Sequence, residues 1–368
     1  MNLSISAVIK KLEEWFPKQL AYDKDPIGLH IGNVNRPLTK VLVTLDVTQR
    51  VVEEAIDKGA NLIVAHHPFI YRPLTAINTN TPKGKVVELC LKHDICVYCM
   101  HTNFDIADNG MNDCLSQALG LVNIKPLIPT KREEYSKLIV YVPVTHADEI
   151  RQAMGDLGVG KIGDYSHCTF TTEGTGTFKP LVNSRPFIGE VGQIESVHEV
   201  KIEGIIPTSH LQNVLNKIKE IHPYEEMAYD VYALQLEMPG AQYGLGRIGE
   251  VAESLEAAEY IKHVKKSLNV AHARFVGKLN KKIKTVAVIG GSGSSYFGPV
   301  KAQKADLFIT GDVGFHEAQD AYDMGLNVLD VGHHAECIMK NHVANLLNNW
   351  VANIALDSKI STEPFQFV

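Results

Sequence analysis

Short apolar runs alternate with segments of helical period over the first third of the chain. Val41-Leu42-Val43-Thr44-Leu45 predicts a buried strand. Gln49–Lys58 has a helical pattern, and Gly59 follows it as a C-cap. Asn61-Leu62-Ile63-Val64-Ala65 predicts the next strand and Lys85–Lys92 a helix. Ile95–Met100 predicts a third strand, and Asn109–Leu119 a helix that stops before Gly120. The last third repeats this grammar, with strands expected at Lys284–Ile289, Asp306–Thr310 and Asn327–Val331. Gly290-Gly291-Ser292-Gly293 closes the first of these, a helix runs through His316 to Tyr322, and a long helix reaches about Asn348. Such alternation predicts α/β units with mostly parallel strands. Right-handed crossovers then gather the strand ends on one edge.

The middle of the chain reads differently. Strands are expected at Ser136–Val142, Cys168–Thr172, Glu199–Ile206 and Met227–Leu236, and helices at Asp148–Gly155 and Gln212–Ile221. That is β-α-β followed by β-α-β, the order of a ferredoxin-like or split βαβ unit. The expected fold class is therefore α/β: a core domain of parallel-rich βα units from both chain ends, with an inserted α+β domain. The core halves are residues 1–132 and 238–368, and the insert is 133–237. Lys131-Arg132-Glu133-Glu134 and Pro239-Gly240 mark the junctions.

Composition narrows the function classes. No apolar run reaches the roughly 18 residues that a membrane span needs. The N-terminal segment reads as an amphipathic helix through Val8, Ile9, Leu12 and Trp15, not as a signal peptide. The net charge of −6 argues against a dominant nucleic-acid surface. Six cysteines without a signal peptide fit reduced thiols in a cytoplasm. Cys96-Val97-Tyr98-Cys99 matches C-x-x-C, but residues three apart on a strand face opposite ways, so buried structural cysteines are expected.

Three segments placed where strands run out carry the candidate chemistry: Ala65-His66-His67-Pro68, His101-Thr102-Asn103-Phe104-Asp105 and Gly332-His333-His334-Ala335-Glu336. Ligands bind open α/β sheets beyond the carboxyl ends of strands. Imidazoles and carboxylates are the donors that borderline divalent metals prefer. A lone histidine at a strand end is more often an ordinary hydrogen-bonded residue; convergence of three motifs on one edge favours metal. Adjacent His66 and His67 are expected to point apart and so to serve two ions. His333 and Glu336, three apart at a helix start, share a face, and Glu336 can bridge. The expected ligands are His66, His67, Asp105, His333 and Glu336. His101 and His316 are candidate general acids or bases. Gly290-Gly291-Ser292-Gly293 reads as a tight turn or an anion cradle, and His222-Pro223-Tyr224-Glu225-Glu226 as a cap and turn.

The same segments, with Thr310-Gly311-Asp312 and Asp330-Val331, resemble the NIF-three-like dinuclear-metal family, whose members often carry the name GTP cyclohydrolase 1 type 2 homolog. The resemblance covers essentially the whole chain, and the middle resembles the PII/CutA-like insert of the longer bacterial members. It implies a toroidal homohexamer, two divalent ions per subunit (zinc, manganese or iron) and the five ligands above. His334 departs from the pattern, since other members have an aromatic residue there, and His333 is favoured as the ligand. The implied activity is metal-dependent hydrolysis of GTP cyclohydrolase type, on GTP or another nucleotide, through an activated water. The alternative is a metal-handling or regulatory scaffold without turnover. A cytoplasmic protein with no membrane or nucleic-acid partner is expected.

Overall fold

In the computed structural model, which describes residues 3–132, 134–235 and 242–366, strands alternate with helices along most of the chain. Glu133, Leu236 and Pro239-Gly240, to which the expected junctions and last insert strand extend, lie outside the described residues. The strands are β1 (Gly28–Ile31), β2 (Val41–Thr44), β3 (Leu62–Ala65), β4 (Cys96–Cys99), β5 (Val122–Arg132), β6 (Tyr135–Pro143), β7 (Thr169–Phe178) and β8 (Glu195–Pro207). They continue with β9 (Tyr229–Leu234), β10 (Gln242–Glu256), β11 (Arg274–Val276), β12 (Lys282–Ser292), β13 (Leu307–Gly311), β14 (Val328–Asp330) and β15 (Ala355–Asp357). The chain forms two compact units, Met1–Lys131 with Gln242–Val368, and Arg132–Ala241.

The first unit holds two sheets, ordered β1-β4-β3-β2-β15 and β11-β14-β13-β12-β10-β5. Strands β2, β3 and β4 run parallel, as do β12, β13 and β14. Antiparallel β1 and β11 close edges, and β10 pairs antiparallel with β12. Side chains alternate in direction along a strand. Val41, Val43, Leu62, Val64, Cys96 and Tyr98 therefore enter the large core shared with the second sheet. Leu42, Ile63, Ala65, Val97 and Cys99 enter a second core beneath the helices Gln49–Lys58 and Pro82–Lys92. Burial on both faces explains why these strands read as unbroken apolar runs. Cys96 and Cys99 fall in different cores as free thiols, and burial pushes the Cys99 thiol up to about 12. Helix Gln49–Lys58 begins at Thr48, whose hydroxyl accepts from Val51 N, and ends at Gly59 with φ 67°.

The second unit contains a four-stranded antiparallel sheet ordered β7-β8-β6-β9. Helices Ala147–Asp156 and Leu211–Ile221 contribute Ile150, Met154, Val214, Leu215 and Ile218 to its core. Strand β7 does not stop before the glycines; it continues through Gly174 and Gly176, opposite Glu199 and Val197 of β8. An edge strand tolerates glycine where a neighbouring group comes close. Among the described residues no helix is long and apolar enough to cross a membrane.

One buried ion pair ties the first unit together. Arg247 on β10 is 2% exposed. Its Nε and Nη2 donate to Asp113 at 2.7 and 2.8 Å, and its remaining protons reach the carbonyls of Gly244, Gly246 and Ala107. Ala107 caps the short helix Thr102–Ile106, which carries Asp105. Removing one partner leaves a buried charge uncompensated. Asp113→Ala is expected to cost about 3–5 kcal/mol in urea unfolding; a loss within error of zero would show that Arg247 finds other compensation.

Candidate metal centre

The carboxyl ends of the two parallel triplets meet at one cluster. Asp46 follows β2, His66 and His67 follow β3, and His101 and Asp105 follow β4. From the other sheet, Asp312 follows β13, and His333 and Glu336 follow β14. His333 and Glu336 lie on a 3₁₀ segment, His333–Ile338, instead of the first turn of an α-helix. In a 3₁₀ helix residues three apart are eclipsed, so both side chains point the same way.

The buried Glu336 carboxylate faces two donor sets. Oε2 lies 3.1 Å from His67 Nε2 and 3.3 Å from His333 Nε2, and those two nitrogens are 3.1 Å apart. Oε1 lies 3.8 Å from His66 Nε2, which is 3.6 Å from Asp105 Oδ1. A near-equilateral triangle of two nitrogens and an oxygen is poor hydrogen-bond geometry. It is the spacing of donors around one ion, since bonds of about 2.1 Å at tetrahedral or octahedral angles separate ligand atoms by roughly 3.0–3.4 Å. Asp105 Oδ1 is buried with no hydrogen-bond partner, which a cation would supply. Two overlapping groups could hold a metal ion: His66, His67 and Glu336, and His66, His101 and Asp105.

Each imidazole is turned by a partner on its far nitrogen. His66 Nδ1 donates to Met100 O at 2.9 Å, His67 Nδ1 to Asp46 at 2.6 Å and His333 Nδ1 to Asp312 at 2.6 Å. A proton held on Nδ1 leaves the Nε2 lone pair for a metal, the usual support of metal-binding histidines. Asp46 is steadied in turn by the Thr362 hydroxyl at 2.5 Å. His101 Nδ1 is 2.8 Å from Asp25, and its ring lies 5.3 Å from that of His66.

Comparison with known proteins gives the family of this chain. The family model for Duf34/NIF3 (NGG1p interacting factor 3) matches residues 3–364. The chain belongs to the Duf34/NIF3 family. A GTP cyclohydrolase 1 type 2 homolog of Bacillus subtilis (strain 168) is 46% identical over 367 residues, 98% of each chain. A Listeria monocytogenes relative of the same name is 41% identical, with 97% of this chain and 96% of the relative covered. The crystal structure of a Bacillus cereus protein related to NIF3 matches with TM-score 0.90 and 47% identity over the whole of both chains. A Staphylococcus aureus crystal structure matches with TM-score 0.75 and 33% identity, again over both whole chains.

Burial sets the protonation of this Duf34/NIF3 cluster. It pushes His66 down to about 3, leaving a neutral ring at physiological pH. Burial works against charge on His67 too, but Asp46 and Glu336 hold it up at about 10. Glu336 and Asp312 raise His333 to about 9 against its burial. Protons on both facing Nε2 atoms would repel, so the triangle favours one shared positive charge. Glu336, despite its burial, is held far below the usual carboxylate range by His66, His333 and His67. Asp105 is pushed well above that range by burial and by the Glu336 carboxylate. The metal-free cluster thus favours positive charge on the His67 and His333 side of Glu336 and disfavours negative charge on Asp105 at the other.

Some expectations change. His66 and His67 do not point apart: the strand ends at Ala65, both backbone amides turn toward Leu45 O, and the ring centroids are 5.0 Å apart. His316 is exposed on the helix Phe315–Asp323, where it meets Gln319 and Phe315 and not the cluster. Neither His333 nor His334 belongs to the two groups named above, but His333 Nε2 lies 3.3 Å from Glu336 Oε2. The glycine run is neither a simple turn nor an anion cradle at its start: a Cβ on Gly290 would lie 2.7 Å from Glu336 Oε1, and one on Gly291 3.3 Å from His333 Nε2. Asp46, Asp25 and Asp312 received no role from sequence. Asp46 was findable, as a carboxylate two residues past a buried strand.

Two outcomes follow from this geometry. Gly290→Ala pushes Glu336 from its place, so metal affinity in equilibrium dialysis is expected to fall about 10–100-fold with the far-UV spectrum retained; unchanged affinity would show that Glu336 does not depend on the space left by Gly290. Asp105→Asn removes a carboxyl whose buried Oδ1 lacks a hydrogen-bond partner and which the Glu336 carboxylate repels. The metal-free variant is expected to be about 1 kcal/mol more stable than the parent in chemical denaturation, while binding metal more weakly. A less stable metal-free variant would mean Asp105 has a structural partner.

Proposed function

We propose that the cluster holds two divalent ions, zinc, manganese or iron, and that the chain is a metal-dependent hydrolase. The observation that carries this reading is the division of donors by Glu336: His67 and His333 face Oε2, while His66 and Asp105 lie on the side of Oε1. Each set has three donors, so positions remain for water and substrate, as in catalytic and unlike structural sites. Ions held there would supply Lewis acidity and bring the pKa of a bound water down toward neutrality. The chain's own residues supply the rest. Asp46, Asp312 and the Met100 carbonyl fix the imidazoles. His101, oriented by Asp25, is placed to hold or pass a proton at Nε2 beside His66 and Asp105. His316 is the weaker candidate for that task.

The relatives' name, GTP cyclohydrolase 1 type 2 homolog, supports a nucleotide as substrate, with GTP as the first to test. The family resemblance supports a cytoplasmic, toroidal homohexamer, and the β-α-β-β-α-β order of the second unit supports a PII/CutA-like insert. Protein stripped of metal and reloaded is expected to take up two ions per chain by elemental analysis. Glu336→Ala should lose both and Asp105→Asn should keep one. Loaded protein should hydrolyse GTP, and His67→Ala should not. A single ion in the parent, or two retained without Glu336, would sink the dinuclear reading. Full occupancy without turnover would overturn the hydrolase and leave the metal-handling scaffold.

A further inference from the structure

The segment His222-Pro223-Tyr224-Glu225-Glu226 plays no part in the metal cluster, and the structure gives it another place. His222 is buried, and both ring nitrogens are engaged within the second unit. Nδ1 accepts from Tyr224 N at 3.1 Å, so the proton sits on Nε2, which donates to Tyr141 O at 3.0 Å. A histidine so used is not a metal ligand. It is a clamp that sets Tyr224, Glu225 and Glu226 along the wall of a cavity of about 430 Å³. Cavities of roughly 300–1,000 Å³ suit small organic ligands.

The lining has one chemical character. Of four aromatic residues in the lining, Tyr141, Phe178, Phe187 and Tyr224, the last three pack ring against ring. Tyr224 meets Phe178 at 5.9 Å and 60°, and Phe187 at 6.4 Å and 54°, so the rings form a corner and not a stack. His146 backs Phe187 edge-on at 5.5 Å. Glu199, Glu225 and Glu226 add three carboxylates, and no lysine, arginine or histidine lines the cavity. Glu199 accepts from the Tyr224 hydroxyl at 2.7 Å, and Glu225 accepts from Arg185 N at 2.7 Å. Glu226 has no hydrogen-bond or ion-pair partner among the described residues. Gly176 belongs to the design, because a Cβ there would come within 1.9 Å of Glu199 Oε2.

We propose that this cavity binds a small organic cation, an amine or guanidinium carried on a hydrocarbon body. Carboxylates and ring faces both attract such a group, and desolvation strengthens the cation–π part. A metal ion is the poorer occupant. Among the described residues, acidic and histidine groups close enough to share one ion occur only around His66, so these three carboxylates do not converge on a point. An anionic nucleotide is repelled by the same charges. Phe187 is 53% exposed, so its ring serves the mouth of the cavity more than the core.

Calorimetric titration of the full chain with choline, agmatine and the neutral choline isostere 3,3-dimethyl-1-butanol tests the proposal. At least one cation is expected to bind saturably, and the neutral alcohol much more weakly. Phe187→Ala and Glu226→Gln are each expected to weaken that cation about tenfold with the melting temperature and metal content of the parent. Both side chains are exposed, so the two variants should fold. No saturable binding of either cation, an alcohol that binds as tightly as the better cation, or parent-like affinity for that cation in both variants would overturn it.

Discussion

A single buried carboxylate organises the first unit. Glu336 sits where the carboxyl edges of two parallel strand triplets meet, and three imidazoles approach its oxygens. A buried charge is costly unless it is compensated, and here compensation is drawn from both sheets. The glycines opposite it have no side chains because there is no space for any. Asp46 and Asp312 stand behind the imidazoles for the same reason: each ring must turn one nitrogen inward and have its other nitrogen satisfied. The cluster is therefore more than a set of candidate metal ligands. It joins the strand ends of one sheet to those of the other, and its charge balance decides how tightly they are held.

Much of this was legible in the chain. Strands β2, β3, β4, β13 and β14 read clearly because burial on both faces makes them unbroken apolar runs. The ends of those runs located His66, His67, His101, Asp105, His333 and Glu336. What failed to show has physical causes. Strand β5 carries Pro126 and Pro129, which suit only a sheet edge, and that is where it lies. Strand β10 carries several glycines and a buried arginine, so neither periodicity nor apolarity marks it. The convergence of His66 and His67 depends on a bend after Ala65 that adjacency alone does not reveal. The Glu336 cradle needed the fold, since glycines beside a strand end read as a turn until the group they accommodate is in place.

The two units handle charge in opposite ways. In the first, acidic groups are packed together with imidazoles until the donors nearly touch. In the second, Glu199, Glu225 and Glu226 are spread around an aromatic cavity and left with acceptor capacity. Compact donors suit a small hard or borderline ion, whereas the dispersed carboxylates and aromatic rings of the cavity suit the larger, softer cation proposed above. The histidines follow the same division: His67 and His333 present a nitrogen to the cluster, while His222 has both nitrogens engaged in shaping a turn.

The order of these residues along the chain also sets the order in which the centre can assemble. His66, His67, His101 and Asp105 precede the second unit, and His333 and Glu336 follow it. At synthesis rates of about 5–20 residues per second, the stretch between Asp105 and Glu336 takes on the order of 10–50 s to emerge from a ribosome. During that interval the second unit, being contiguous, can fold by itself, while the first holds half a ligand set and an incomplete core. The full set of candidate ligands therefore exists only once the segment after β14 has been made, and any product that stops short of β14 lacks His333 and Glu336.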